Sequence, residues 1–415
     1  MNGINTTLRV ALIASVLAGG RVRAQDEMRV WKSQEGRELK AAMLELKGTE
    51  LTLRLENGAV SKVALSRLSA DDQIFAKQAA TNPIMAATVP AAAKVPAVPL
   101  VWPSVVVVNP KALDIAVGKQ NAVSREYQYN SGSFLYIAKA PLTGTVMKDV
   151  AVDFELAWQF MAQLPWGWQP RPKDGGTFKV YLTETLQDFI DLGGNDTSGG
   201  GSKDDYVFTK FSELGLKKVG PRYAFDAREK NEGSVMGLTI RLLIGDMRSL
   251  LEPWSSIGLE EFTRKVAYHK GTIKLSRLET SLKAAIAGES RTKPDLKRMM
   301  EYLHMPLKEQ RGDVKQIRVE NYFDGMMLVY YFGFLDGDGK GARLHQYYRA
   351  AAQESLAWRE FRETNGKTPR PRPAGVGSYP EWAAELMKIV LAGRSDPQIA
   401  AEMVAKFKAM GIKID

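Results

Sequence analysis

The sequence contains no cysteine and only three histidines among its 415 residues. Without cysteine the chain has no disulfides, no thiol nucleophile and no zinc site built from thiolates. The histidines, His269, His304 and His345, are far apart in the sequence, and lone histidines of this kind are usually packing or surface residues. Metal ligation by these residue types is therefore not expected, and we predict no metal and no other cofactor.

Apolar runs long enough to cross a bilayer, which needs about 20 residues, are also lacking. At the N-terminus, Arg9 precedes the apolar stretch 10–20, and Val22 and Ala24 occupy the positions before a cleavage site. This arrangement is typical of a signal peptide. We expect residues 1–24 to be one, with an uncleaved anchor as the alternative and no transmembrane segment beyond it. The protein is then exported, to the periplasm, the cell surface or the extracellular space.

The charge balance lacks the strong excess of one sign that marks a nucleic-acid-binding protein. Lysine and arginine number 57 against 47 acidic residues, and the formal net charge is +10. The basic residues are scattered and form no stripe interleaved with aromatic residues, so no nucleic-acid partner is expected. A protein or peptide partner, or loose attraction to an anionic envelope polymer, stays open.

Residues 25–78 have the pattern of a small all-β barrel. Alternating apolar and polar residues predict strands at 29–32, 39–47, 50–55 and 60–65. Glycines and the pair Asn57-Gly58, a strong hairpin signal, separate them. Ser69 then has the position of an N-cap before a short helix.

This block resembles the Sla-one homology domain, an SH3-like module of exported bacterial proteins. The residues that carry the resemblance are Arg29, Trp31, Gly36, Arg37, Asn57, Gly58, Val63, Leu65, Leu68, Ser69, Asp72 and Gln73. The resemblance implies an SH3-like barrel and a protein-binding role, since eukaryotic relatives of the module act in actin-linked adaptors. Trp31 is expected in the core of the barrel.

The rest of the chain divides into a linker and one large domain. Residues 79–110 contain six prolines among alanines and valines, which predicts an extended linker with an edge strand at 105–108. Residues 111–415 carry a helical pattern at 154–164, a strand at 177–184, a helix at 185–194 and a glycine-rich loop at 196–205. Helical patterns dominate from 232 onward. Strands first and helices after predict a mostly helical α+β domain.

The segment 234–271 has two apolar helical stretches, joined by Glu252-Pro253-Trp254 and followed by Gly258-Leu259-Glu260-Glu261-Phe262. It resembles the paired active-site helices of gluzincin metallopeptidases. In that family a His-Glu-x-x-His motif on the first helix supplies two zinc ligands and a general base, and a glutamate on the second helix supplies the third ligand. The resemblance implies that residues 111–415 have a gluzincin-like fold.

All four chemical positions of that motif are replaced in this chain. Aligned on Pro253-Trp254 and Gly258, Gly237 and Arg241 take the places of the histidines, Leu238 that of the base and Ile257 that of the third ligand. None of these side chains binds zinc, and an arginine repels a dication at short range. The domain is therefore expected to be degenerate, with no catalytic residue.

Three residues remain as candidates for binding in the cleft: Trp254, Tyr268 and Glu261. Glu260 and Glu261 could also reach into the cleft, although acids on an amphipathic helix are the simpler interpretation. The sequence thus predicts an exported, non-catalytic scaffold for proteins or peptides. The alternatives are an adaptor acting through the SH3-like module alone, and a hydrolase that uses a non-metal constellation in the same cleft.

Overall fold

The computed structural model describes residues 28–34, 37–55, 59–69, 72–73, 76, 100–172, 175–203, 205–231, 233–290, 292–306, 319–366 and 378–415. The described residues form two compact units, a β-rich N-terminal unit and a larger, mostly helical α+β unit that contains residues 100–366 and 378–415. The predicted signal peptide, the Asn57-Gly58 turn and residues 79–99 of the linker lie outside the described residues.

The smaller unit is a four-stranded antiparallel sheet. Its strands, in the order of the sheet, are β1 Met28–Lys32, β2 Glu38–Lys47, β3 Glu50–Leu55 and β4 Val60–Ala64. Trp31 is buried as predicted, and its indole Nε1 donates a hydrogen bond to the carbonyl of Ala41 at 2.9 Å. Alternation within each strand places one row of apolar side chains in this core.

The four predicted strands are confirmed to within one residue at each boundary. The N-cap at Ser69 is also confirmed, because its hydroxyl oxygen accepts a hydrogen bond from the backbone N–H of Asp72 at 3.3 Å. The carboxylate of Asp72 in turn accepts from the backbone N–H of Lys32 at 2.7 Å. This pair fastens the turn after β4 to the end of β1.

The larger unit is built around a six-stranded mixed sheet. Its strands are β6 Ala116–Asn121, β7 Glu126–Asn130, β8 Phe134–Ala138, β9 Phe178–Thr183, β10 Gly200–Lys203 and β11 Tyr206–Lys210. The order is β10-β11-β9-β8-β7-β6; β9 is parallel to both neighbours and the other pairs are antiparallel. Two small sheets accompany it, formed by β5 Val105–Val107, β12 Leu214–Val219, β13 Arg222–Lys230, β14 Tyr268–His269 and β15 Thr272–Lys274.

Ten helices are described in this unit. They are α1 Gly144–Gln163, α2 Leu186–Asp191, α3 Ser234–Ile244, α4 Pro253–Phe262, α5 Leu278–Gly288, α6 Leu296–Leu303, α7 Val319–Phe334, α8 Ala342–Asn365, α9 Tyr379–Leu391 and α10 Asp396–Ala409. A 3-10 turn at Gly245–Leu250 follows α3, and a π-helical turn at Thr263–Ala267 follows α4. Among the described helices, none is both long enough and apolar enough to cross a bilayer.

The linker predicted over 79–110 is too long at its C-terminal end. Trp102 is part of the larger unit, because its ring stacks on Phe334 at a centroid distance of 5.0 Å and its Nε1 donates to the carbonyl of Gly333 at 3.2 Å. The predicted edge strand is confirmed as β5, which pairs with β15. A tryptophan among prolines and valines has enough apolar area to bind this end of the segment to a core.

The glycine-rich segment 196–205 was predicted to be a loop, and part of that prediction is wrong. Gly200 and Gly201 belong to the edge strand β10, paired with β11. A Cβ on Gly200 would lie 2.2 Å from Cδ1 of Leu238, and one on Gly201 would lie 2.4 Å from the ring of Phe208. Glycine is needed here because neighbouring side chains lie directly against the strand.

Candidate functional site

The four positions that the sequence resemblance assigns to the zinc-peptidase motif lie on α3 and α4, which contact each other in the larger unit. Gly237, Leu238 and Arg241 are on α3, and Ile257 is on α4. Helix α3 ends at Gly245, whose φ of +53° is open to glycine and strained for other residues. Helix α4 begins with Pro253 at its first position, where a missing N–H costs nothing.

An ion pair joins the two helices at this point. Nε and Nη2 of Arg241 donate to Oε2 of Glu260 at 2.9 and 2.6 Å. The Glu260 residue is 2% exposed, while the Arg241 side chain is 26% exposed. The nearby carboxylate raises the pKa of Arg241 further above its already high ordinary value, and Tyr322 contributes in the same direction. The arginine is therefore a permanent cation held by a buried anion.

The residue of α4 whose side chain meets Arg241 is Glu260, and Ile257, predicted at the third-ligand position, does not take part in this contact. Ile257 is buried and carries no polar atom in its side chain, whereas the carboxylate of Glu260 meets the side chain of Arg241. Glu260 lies almost one helical turn further along α4, on a neighbouring part of the same face. The expectation that Glu260 is an ordinary acid on an amphipathic helix is also wrong, because α4 is buried on all sides.

Gly237 and Leu238 also have packing roles. A Cβ on Gly237 would lie 3.3 Å from Cδ of Arg264, so the glycine leaves room for that side chain. Leu238 is partly buried, and its Cδ1 lies against Gly200 of β10. Leu238 therefore makes an apolar contact between α3 and the edge strand.

Glu261 and Tyr268, both binding candidates, are engaged by other parts of the protein. Oε2 of Glu261 accepts from Nη2 of Arg264 at 2.6 Å, and the residue is 7% exposed. The hydroxyl of Tyr268 donates to Oδ1 of Asp153 at 3.1 Å. Asp153 is also paired with Lys230. The carboxylates of Glu260, Glu261 and Asp153 are thus each bound to a basic side chain.

Trp254 and Tyr268 were candidates for binding in a cleft, but both side chains are buried. Trp254 is fully buried, its Nε1 contacts Sδ of Met387 at 3.4 Å, and its ring lies 6.1 Å from that of Tyr347. Tyr268 is 5% exposed. Large aromatic side chains contribute most when they are buried, and the sequence does not distinguish a rim tryptophan from a core one.

The three histidines have separate hydrogen-bond partners. His269 Nε2 contacts the hydroxyl of Ser281 at 2.9 Å, and His304 Nε2 contacts Oδ1 of Asp396 at 2.9 Å on the surface. Within the described ranges, no group of three or more His, Cys, Asp or Glu side chains is placed to hold a metal ion.

His345 is buried and neutral. Its Nδ1 accepts a hydrogen bond from Nε1 of Trp166 at 3.0 Å, so the ring proton is on Nε2, which has no hydrogen-bond partner among the described residues. The ring also lies 4.7 Å from that of Trp102. Burial, together with the positive charge of Arg349, lowers the pKa of His345 from 6.5 to about 4. This histidine is a core residue with one polar partner.

We expect His345 to weaken the fold as the pH falls. Its pKa is lower in the folded protein than in the unfolded chain, so the unfolded chain takes up the proton first. Stability is therefore retained above pH 6.5 and lost between 6.5 and about 4. Between about pH 7.5 and 5 the loss should be about 2 kcal/mol. Urea unfolding across this range should show a flatter dependence for His345→Asn, which keeps an acceptor for Trp166.

The comparison with His345→Asn isolates the titration of His345. A second buried group, Asp324, changes the stability with pH in the opposite direction. Burial raises the pKa of Asp324 to about 6, even though the Arg298 guanidinium partly offsets the effect. Asp324 therefore stabilises the folded protein at low pH, and this contribution is lost as the pH rises through 6. Both proteins contain Asp324, so it cancels in the difference. Equal pH dependence in the two proteins would contradict the role given to His345.

A cavity of the larger unit lies next to the ion pair between Arg241 and Glu260. It has a volume of about 170 Å³ and is bordered by the end of α3, the 3-10 turn at Gly245–Leu250, the sheet and α8. Arg241 lines it together with Arg171, Arg248 and Arg359. The sequence analysis missed this cluster because its arginines are up to 188 positions apart. Its one local signal is Arg359, a charged residue at a buried position of a helix.

Comparison of the chain with protein-family models, with curated protein sequences and with solved structures finds no match in any of the three.

Proposed function

We propose that the protein is an exported, non-catalytic scaffold that binds a protein or peptide. Its larger unit is, in this proposal, a degenerate gluzincin-like domain. The observation that carries the proposal is the ion pair between Arg241 and Glu260. In a zinc peptidase, the facing sides of two such helices hold the ligands of a dication. Here a guanidinium cation lies between them and pairs with the carboxylate, which supports a role in packing for these positions.

The alternative of a hydrolase with a non-metal constellation has less support. A general acid or base must be within reach of a substrate and free to exchange a proton. Glu260 and Glu261 are the acids nearest the erased motif, and each is buried and bound to an arginine. Leu238, at the position of the base, carries no proton acceptor.

For the smaller unit we propose an SH3-like module that binds a protein partner. The antiparallel order of β1 to β4 supports this, as does an isolated bridge between Ser33 and Leu68 that joins the two ends of the sheet. Val30, Leu39 and Val60 are exposed on this unit and offer apolar contacts to a partner. The same residues favour the second candidate function, an adaptor that acts through this module alone.

The test is a metal analysis of the purified chain, together with a screen against peptide and glycan substrates. We expect substoichiometric zinc that dialysis removes, and no turnover above that of a buffer control. The matched variant Glu261→Gln should behave like the unaltered protein in both assays. One tightly bound zinc per chain, or turnover that Glu261→Gln abolishes, would contradict the proposal.

A further inference from the structure

The cavity beside Arg241 has an excess of positive charge. Four arginines line it, Arg171, Arg241, Arg248 and Arg359, against two aspartates, Asp205 and Asp246. The arginines come from the loop after α1, from α3, from the 3-10 turn and from α8. Like charges gathered around a small cavity repel one another unless something neutralises them. The question is which of the four already have partners.

Arg359 is the most buried of the four and is incompletely paired. The residue is 6% exposed, its Nε donates to Oδ2 of Asp246 at 3.2 Å, and its guanidinium lies 4.4 Å from the ring centroid of Trp168. Its Nη1 is buried and has no hydrogen-bond partner among the residues that the structure describes. A buried donor without an acceptor is costly, and such donors usually have a ligand, an ion or a water as partner.

The positive charges of Arg248 and Arg171 are only weakly compensated by other side chains. Within the described part of the chain, no hydrogen bond or ion pair engages the half-buried guanidinium of Arg248. Arg171 pairs with Glu363 at 2.9 Å, but the two side chains are 50% and 65% exposed, and such surface pairs contribute little. The carboxylate of Asp246 is shared, because its Oδ2 accepts from both Arg359 and Arg362.

The floor of the cavity is shaped to keep these groups in place. Gly245 lines it with a backbone conformation that other residues rarely adopt. A Cβ on Gly245 would lie 3.4 Å from Nη2 of Arg359, within contact of the guanidinium. The turn that carries Asp246 and Arg248 therefore brings its backbone close to Arg359, and only glycine does this without strain.

We propose that this cavity binds a phosphoryl group, as inorganic phosphate or as a phosphate monoester. Arginine forks match the oxygens of phosphate and of carboxylate. A carboxylate accepts hydrogen bonds in one plane, whereas Arg171, Arg248 and Arg359 come from three separate elements. A tetrahedral oxyanion with a charge of about −2 fits these donors and the excess charge better. The inference rests on the proposed function in one respect, because it assigns a class of ligand to a domain that is proposed to be non-catalytic.

Calorimetric titration of the whole protein with phosphate, phenyl phosphate and succinate, at constant ionic strength, tests the proposal. We expect saturable binding of phosphate at one site and weaker binding of succinate. Arg248→Gln should weaken phosphate binding about tenfold or more, because charge-assisted hydrogen bonds are lost. Its fold should be unchanged, since no residue in the described ranges forms a hydrogen bond or ion pair with the Arg248 side chain. Tighter binding of phenyl phosphate than of phosphate would identify a monoester as the ligand, and the reverse would identify the free ion; both support the site.

Arg222→Gln is the matched control, because Arg222 is exposed and lies outside the cavity. It should bind phosphate like the unaltered protein. Equal affinities in Arg248→Gln and Arg222→Gln would overturn the proposal, as would no saturable binding or a preference for succinate. If Arg248→Gln does not fold, Arg171→Gln replaces it with the same expected loss. The result is independent of the zinc and turnover assays, so failure here leaves the proposed function standing.

Discussion

Replacing Arg241 with methionine is expected to lower the free energy of unfolding by about 3–5 kcal/mol, measured by urea denaturation. The reason lies with its partner. Glu260 is 2% exposed, and its Oε2 accepts both hydrogen bonds from Arg241. Its Oε1 is buried and already lacks a partner among the described residues. Without the arginine, a whole carboxylate would be left buried and uncompensated.

The double variant Arg241→Met with Glu260→Leu separates this cost from loss of packing. Removing both charges should recover most of the stability, because replacing a buried ion pair by apolar residues is often neutral or stabilising by about 1–4 kcal/mol. An exposed pair serves as control: Lys283 contacts Glu279 at 2.6 Å with both side chains about half exposed. Lys283→Met should cost below about 0.5 kcal/mol. A loss under about 1 kcal/mol in Arg241→Met, or no recovery in the double variant, would contradict the buried-charge argument.

Much of the fold could be predicted from local sequence pattern. The strands of the smaller unit were found because one face is buried and the period of two is therefore visible in Trp31, Leu51 and Leu53. Strand β10 could not be found in this way. Its glycines have no side chains that could alternate. They are needed because Leu238 and Phe208 lie against the strand. Leu238 is distant from β10 in the sequence, and Phe208 is on the next strand.

The pair of helices that carries the candidate site could be predicted from the sequence, but the residues that contact each other across it could not. Alignment on Pro253 and Trp254 fixed which helices face each other, but it could not fix which residue of α4 faces Arg241. The choice of Glu260 depends on the rotation of α4 about its axis, which tertiary packing decides. A signal was present: a charged residue on each of two otherwise apolar helices indicates a pair. The arginine cavity offered only Arg359 as a local signal, since four separate elements build it.

Replacing Gly258 with alanine is expected to destabilise the larger unit by about 3 kcal/mol or more, because it forces α4 away from α7. A Cβ on Gly258 would lie 2.2 Å from the carbonyl oxygen of Gly325 and 2.8 Å from Cγ2 of Val329. The approach is close from both sides, since a Cβ on Gly325 would lie 3.0 Å from the carbonyl oxygen of Trp254. The nearest atoms belong to backbone, so no change of rotamer relieves the clash.

Gly288→Ala makes the same chemical change at a helical glycine with open space around it. Gly288 is the last residue of α5, and nothing lies within 4 Å of a Cβ built there. Alanine should be neutral or stabilising by up to about 1 kcal/mol at that position, because it restricts the unfolded chain. Urea denaturation of both variants gives the comparison, and equal effects would show that α4 and α7 are not in contact at Gly258.

The effect of Gly258→Ala should also reach the ion pair between Arg241 and Glu260. Glu260 lies two residues beyond Gly258, so a displaced α4 carries its carboxylate away from Arg241. Combining Gly258→Ala with Arg241→Met should therefore cost less than the sum of the two single changes.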